Sequence, residues 1–126
     1  MTTKKELTET FHIIFDAIDC DKKMIGNEKF VFNLLMEIPK LVDMKILVGP
    51  NLVRDHDPDN LGITGIAIIS FFHISIHTFT ATGEVFIDVF SCKKFDYKKV
   101  KEYLHKKLKI SASKVQTQEI KYPWEK

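Results

Sequence analysis

The hydrophobic and polar positions change period several times along the chain. Residues 11–18 are rich in Phe and Ile and read as a first strand, followed by turn chemistry at Asp19-Cys20-Asp21. From Asn27 the period becomes helical. Phe30, Val31, Leu34, Leu35 and Ile38 recur at helical spacing, Asn27 stands where a cap belongs, and Pro39 closes the segment. Residues 45–53 predict a second strand, which Gly49-Pro50 must bend or hold at an edge. Residues 55–60 form a polar loop. Residues 63–71 are almost continuously apolar, the pattern of a central strand buried on both faces. Residues 73–79 and 84–90 give two more strands, joined through Thr80-Ala81-Thr82-Gly83, a hairpin-length link. Asp96 can cap a second helix with an apolar stripe of Val100, Tyr103, Leu104 and Leu108. The lysines on its other faces read as a solvated surface. A last strand over 114–120 precedes a polar tail at Tyr122-Pro123-Trp124.

The predicted order is strand, helix, four strands, helix, strand. Short turns between strands make the sheet mainly antiparallel, and two amphipathic helices cover one face. The fold class is therefore α+β, a two-layer sandwich, as a single domain over 1–126. Charge narrows the function classes. Nineteen basic against 17 acidic residues leave a net +2, without the basic excess of a nucleic-acid or membrane-surface binder. The first ten residues have no apolar signal region, and no apolar run approaches the roughly 20 residues of a membrane span. Cys20 and Cys92 read as two free thiols of a reducing cytoplasm, where the chain is expected to reside. No CxxC, HExxH or Walker-type loop is present.

Strand alternation then sorts the chemistry onto faces. Ile74, Ile76 and Thr78 share one face with Val85, Ile87 and Val89, the natural partners of the helices. His73, Ser75, His77 and Phe79 share the other face with Phe86, Asp88, Phe90 and Cys92. Phenylalanines are costly to leave in water, so this second face asks for a partner or a ligand. Its histidines are either hydrogen-bonded within an interface or part of a site. A metal site from His73, His77 and Asp88 is set aside, because i and i+4 lie about 13 Å apart along a strand.

These residues resemble a known family. Bacterial and archaeal S-adenosylmethionine decarboxylases carry a run close to Ser-Glu-Ser-His-Leu-Thr-Ile-His-Thr-Trp-Pro-Glu, then a glycine, then a strand ending Ile-Asp-Leu-Phe-Thr-Cys. Here the run is Ser70-Phe71-Phe72-His73-Ile74-Ser75-Ile76-His77-Thr78-Phe79-Thr80-Ala81. After Gly83 comes Ile87-Asp88-Val89-Phe90-Ser91-Cys92. Gly62-Ile63-Thr64-Gly65 resembles the Gly-x-x-Gly before the family's central strand. His12 and Cys20-Asp21 fall where its first strand has similar residues. The resemblance covers most of the chain, through two motifs that are specific in combination.

The resemblance implies the family's fold and a chemistry of polyamine (spermidine) biosynthesis. In that family the second serine of Ser-Glu-Ser attacks the preceding carbonyl, the chain is cut, and a pyruvoyl group is left at the new terminus. That carbonyl forms a Schiff base with the substrate and acts as electron sink in the decarboxylation. The position matched by His77 assists self-cleavage, and the one matched by Cys92 returns a proton to the product. Phe72 stands at the serine position and Phe71 at the glutamate. A phenylalanine has neither the hydroxyl to attack nor the leaving group to eliminate, so no pyruvoyl cofactor is expected. Site-lining positions are then Phe71, His73, Ser75, Asp88 and Phe90. The expected protein is an uncut homologue that binds an S-adenosylmethionine-like ligand or pairs with a paralogue. The alternative is an active decarboxylase using a relocated serine, Ser70 or Ser75. The family's small members pair through their uncovered sheet faces, which implies a homodimer or a heterodimer with a paralogue.

Overall fold

The structure, a computed structural model, describes residues 7–122; Pro123 and Trp124 of the expected tail lie outside them. The elements are β1 (Phe11–Ala17), α1 (Lys22–Ile25), α2 (Glu28–Leu41), β2 (Ile46–Asp55), β3 (Gly62–Ile69), β4 (Phe72–Phe79), β5 (Glu84–Ser91), α3 (Tyr97–Leu108) and β6 (Val115–Ile120), with a 3₁₀ turn at Ala112–Lys114. The strands form one sheet in the order β2-β3-β4-β5-β1-β6, every neighbouring pair antiparallel. Two-layer α+β architecture is what results.

One parity of each inner strand is buried: Ile13, Phe15 and Ala17; Ile63, Ala67 and Ile69; Ile74, Ile76 and Thr78; Val85, Ile87 and Val89. Opposite them lie Val31, Leu34, Leu35 and Ile38 of α2 and Val100, Leu104 and Leu108 of α3. Helix α2 presses so closely on β3 that a Cβ at Gly65 would stand 2.8 Å from Leu35 Cδ1. Caps fix the helix starts. Asn27 accepts from the N–H groups of Lys29 and Phe30, and Asp96 from those of Lys98 and Lys99, as orphan first-turn donors require.

Four expectations change. Pro39 does not close α2, which runs on to Leu41; in the last turn a proline forfeits one helical bond, and its carbonyl accepts from Val42 and Met44 instead. A third helix, α1, follows Asp19-Cys20-Asp21, because Asp21 caps Lys23 and Met24 rather than merely turning the chain. Strand β3 is not buried on both faces and lies second from the edge, with β4 and β5 in the middle. Its Ile66 and Ile68 are 41% and 45% exposed, since helices cover only the opposite parity. It also ends at Ile69, because Ser70-Phe71 turn the chain. Strand β2, by contrast, is the edge strand expected from Gly49-Pro50, with its register shifts falling between Ile46 and Asn51, where that pair interrupts the ladder.

Candidate functional site

The open face is a grid read from the strand registers. One row runs Val48, Ile68, His73, Phe90, His12, Ile120 from β2 to β6. The next has Asn51, Ile66, Ser75, Asp88, Ile14, Gln118, and the third Val53, Thr64, His77, Phe86, Asp16, Gln116. The β2–β3 side is apolar and exposed at Val48, Val53, Ile66 and Ile68. Polar chemistry collects at the middle strands.

Asp88 is its centre. One carboxylate oxygen accepts from His12 Nε2 at 2.7 Å and has His73 Nε2 at 3.7 Å; the other accepts from the Ser75 hydroxyl. A carboxylate only accepts, so His12 Nε2 carries a proton. The other ring nitrogen, Nδ1, is 2.6 Å from the hydroxyl of Tyr122. Phe90 packs among His12, Phe72, His73 and Tyr122, with ring centroids 4.6, 4.7, 5.6 and 5.5 Å away. Burial and the nearby Asp88 charge push the Tyr122 phenol up, keeping it protonated. Burial likewise raises Asp16, which lines a hollow of about 280 Å³ with His12, Ser75, His77, Phe86 and Asp88.

The predicted site residues divide into two ends. At one, Phe71 and Phe72 form the turn into β4 with φ of 87° and 138°, a region that L side chains rarely adopt. By strand parity Phe72 belongs with Ile74 on the helix face, yet its ring packs on Phe90 of the open face; the positive φ breaks the alternation. The Cys92 backbone N–H donates to the Phe71 carbonyl at 3.0 Å, placing Cys92 beside the Phe71–Phe72 peptide. Lys93 Nζ lies 5.3 Å over the Phe71 ring. At the other end His77 pairs with Phe86, and its Nδ1 is 3.2 Å from the Thr64 hydroxyl. A hollow of about 170 Å³ there is lined by Asp55, Asn60, Thr64, His77 and Phe86.

His73, Ser75, Asp88 and Phe90 are therefore brought together. His77 and Cys92 are not. Cys92 lies six residues beyond Phe86, the partner of His77, which is about 20 Å at the rise of a strand. Sequence reasoning passed over Tyr122 and Thr64, both of which touch site histidines. Thr64 shares the parity of Ile66 and Ile68 and was findable from alternation; Tyr122 carries no local signal. Among the described residues, no three His, Cys, Asp or Glu side chains converge as metal ligands.

A family profile described as S-adenosylmethionine decarboxylase matches residues 11–121. The chain belongs to the S-adenosylmethionine decarboxylase family. Proteins named S-adenosylmethionine decarboxylase proenzyme are among its relatives. That of Clostridium botulinum (strain Langeland) is 31% identical over 99 residues, 78% of this chain and 82% of that protein. That of Synechococcus sp. (strain WH7803) is 36% identical over 81 residues, covering 64% and 60%. The crystal structure of the adenosylmethionine decarboxylase from Aquifex aeolicus shares the fold, with a TM-score of 0.72 over 94% of this chain and 98% of that one at 22% identity. No helix among the described residues is long and apolar enough to cross a membrane.

Proposed function

We propose that this chain is an uncut, catalytically silent member of the S-adenosylmethionine decarboxylase family, associated with polyamine (spermidine) biosynthesis, which keeps the scaffold of the site and works through a ligand or a partner subunit. The carrying observation is Phe71-Phe72 at the strained turn into β4, with Phe72 packed on Phe90. By the motif resemblance this is the position at which the family makes its pyruvoyl group. A phenylalanine side chain does not fit that group: it holds no oxygen to attack the Phe71 carbonyl and no leaving group to eliminate. No catalytic step follows from it. The relocated-serine alternative finds no support at either residue. Ser75 lies within the β4 ladder, where a cut would fall inside a middle strand of the sheet, and Ser70 precedes the strained Phe71–Phe72 pair.

The separation of His77 from Cys92 supports pairing through the open face. A two-fold axis lying between two such faces, and across the strands, stacks the Cys92 end of one copy over the His77 end of the other, about 10 Å away. Each site is then completed by the partner subunit's His77. Such pairing also covers Val48, Ile66, Ile68 and Phe90, which one copy leaves open. With a paralogue that carries the serine, this chain offers its intact His77 and Thr64 end to the paralogue's scission point, while its own Phe72 end stays silent. With a second copy both ends stay silent, and the remaining use is binding of S-adenosylmethionine or a related cation at Asp88.

Analytical ultracentrifugation with Phe90→Asp tests the pairing. The wild type is expected as a dimer at micromolar concentration and the variant as a monomer of unchanged circular dichroism, because the new carboxylate is buried unpaired in the interface. A monomeric wild type contradicts the reading. Calorimetry with S-adenosylmethionine tests the ligand: absence of both heat and thermal stabilisation leaves the partner role alone.

A further inference from the structure

The open face carries one polar chain that spans three strands, and its outermost link is a residue outside every element. Tyr122 follows β6, and its hydroxyl is 2.6 Å from His12 Nδ1 on β1. His12 Nε2 is 2.7 Å from Asp88 on β5, and Ser75 on β4 donates to the second oxygen of that carboxylate. The Tyr122 ring is also nearly parallel to that of His12, at 7° and 6.1 Å between centroids, and lies 5.5 Å from Phe90. The groups that face His12 are thus Asp88 from β5, His73 from β4 through Asp88, and Tyr122; its other neighbours on the face, Phe90 and Ile120, are apolar.

We propose that Tyr122 is a positioning residue of this site: it donates its hydroxyl proton to His12 Nδ1 and so fixes His12 as the neutral Nε2–H tautomer. Asp88 accepts on both oxygens, so Nε2 donates. In a neutral ring the lone pair left on Nδ1 then takes a donor, and among the described residues the Tyr122 hydroxyl stands there. The consequence is electrostatic. A neutral His12 satisfies Asp88 without cancelling its charge, so the centre of an aromatic-walled face keeps one negative charge. That suits the ammonium or sulfonium of a cationic ligand. This ligand consequence rests on the reading proposed above; the hydrogen-bond assignment does not.

Nitrogen-15 and proton NMR of the imidazoles in the full-length protein at pH 8 tests it, with Tyr122→Phe and Asp88→Asn as variants. The wild type is expected to show His12 with a protonated Nε2 and a bare Nδ1 that accepts a hydrogen bond, its Nε2 proton exchanging slowly with water. Tyr122→Phe keeps the ring and the melting temperature, but moves the Nδ1 resonance and speeds that exchange by about tenfold. Asp88→Asn releases the tautomer. A wild type whose His12 carries its proton on Nδ1, or on both nitrogens, overturns the proposal. So does a Tyr122→Phe protein with unchanged Nδ1 shift and exchange. If the NMR result holds while S-adenosylmethionine gives no binding heat, the positioning role stands and the ligand reading falls.

Discussion

Two cysteines, Cys20 between aspartates and Cys92 between a serine and a lysine, end in different chemistry. Cys20 is buried behind the first turn, and burial, assisted by the Asp19 charge, pushes its thiol up to about 11. At pH 8 only about one molecule in a thousand carries that thiolate, and the thiolate is the species that reacts. Cys92 is partly exposed. Alkylation with iodoacetamide at pH 8, followed by peptide mass spectrometry, is therefore expected to label Cys92 first and Cys20 only after unfolding. At the turn into β4 Phe71 and Phe72 hold positive φ and the Cys92 N–H donates to the Phe71 carbonyl; under the proposed reading this is a scission point without its serine. The double variant Phe71→Glu, Phe72→Ser is expected to cut itself slowly into fragments 1–71 and 72–126, seen by electrophoresis. Reading such a position from sequence is straightforward, because a side chain without a hydroxyl is visible in one letter. Tyr122 is the opposite case: its meaning comes from a contact 110 positions away with His12, which no local pattern encodes.

At the scale of elements, alternation and capping carried most of the information. Asn27 and Asp96 mark helix starts because a side-chain oxygen before an apolar stripe satisfies backbone donors, whatever the tertiary context. Element ends were less legible. Pro39 disrupts a helix interior, but in the last turn it removes little, and the packing of α2 on the sheet carries the helix two residues further. The continuous apolar run of β3 reports two faces in need of cover, while a single copy covers only one. Gly62 lies where β3 begins against β4; a Cβ there would come within 1.7 Å of the Thr78 carbonyl oxygen. Gly62→Ala is accordingly expected to lower stability by about 2–4 kcal/mol in urea unfolding, through backbone displacement and not lost burial.

For the whole molecule, sheet order and the division of the site were beyond reach of the sequence. Strands 2 to 5 are neighbours because short turns leave little choice, but the insertion of β1 between β5 and β6 depends on long-range pairing. That insertion brings His12 to Asp88. The same sheet sets His77 and Cys92 at opposite ends of one face, the separation on which the proposed pairing rests, and leaves an apolar strip exposed beside β2. The role proposed for the chain needs no self-scission. Intact mass spectrometry of the purified protein tests that most directly: a single uncut polypeptide, consistent with 14.6 kDa for the full sequence, is expected. Two fragments, one beginning with a pyruvoyl group, would contradict the account.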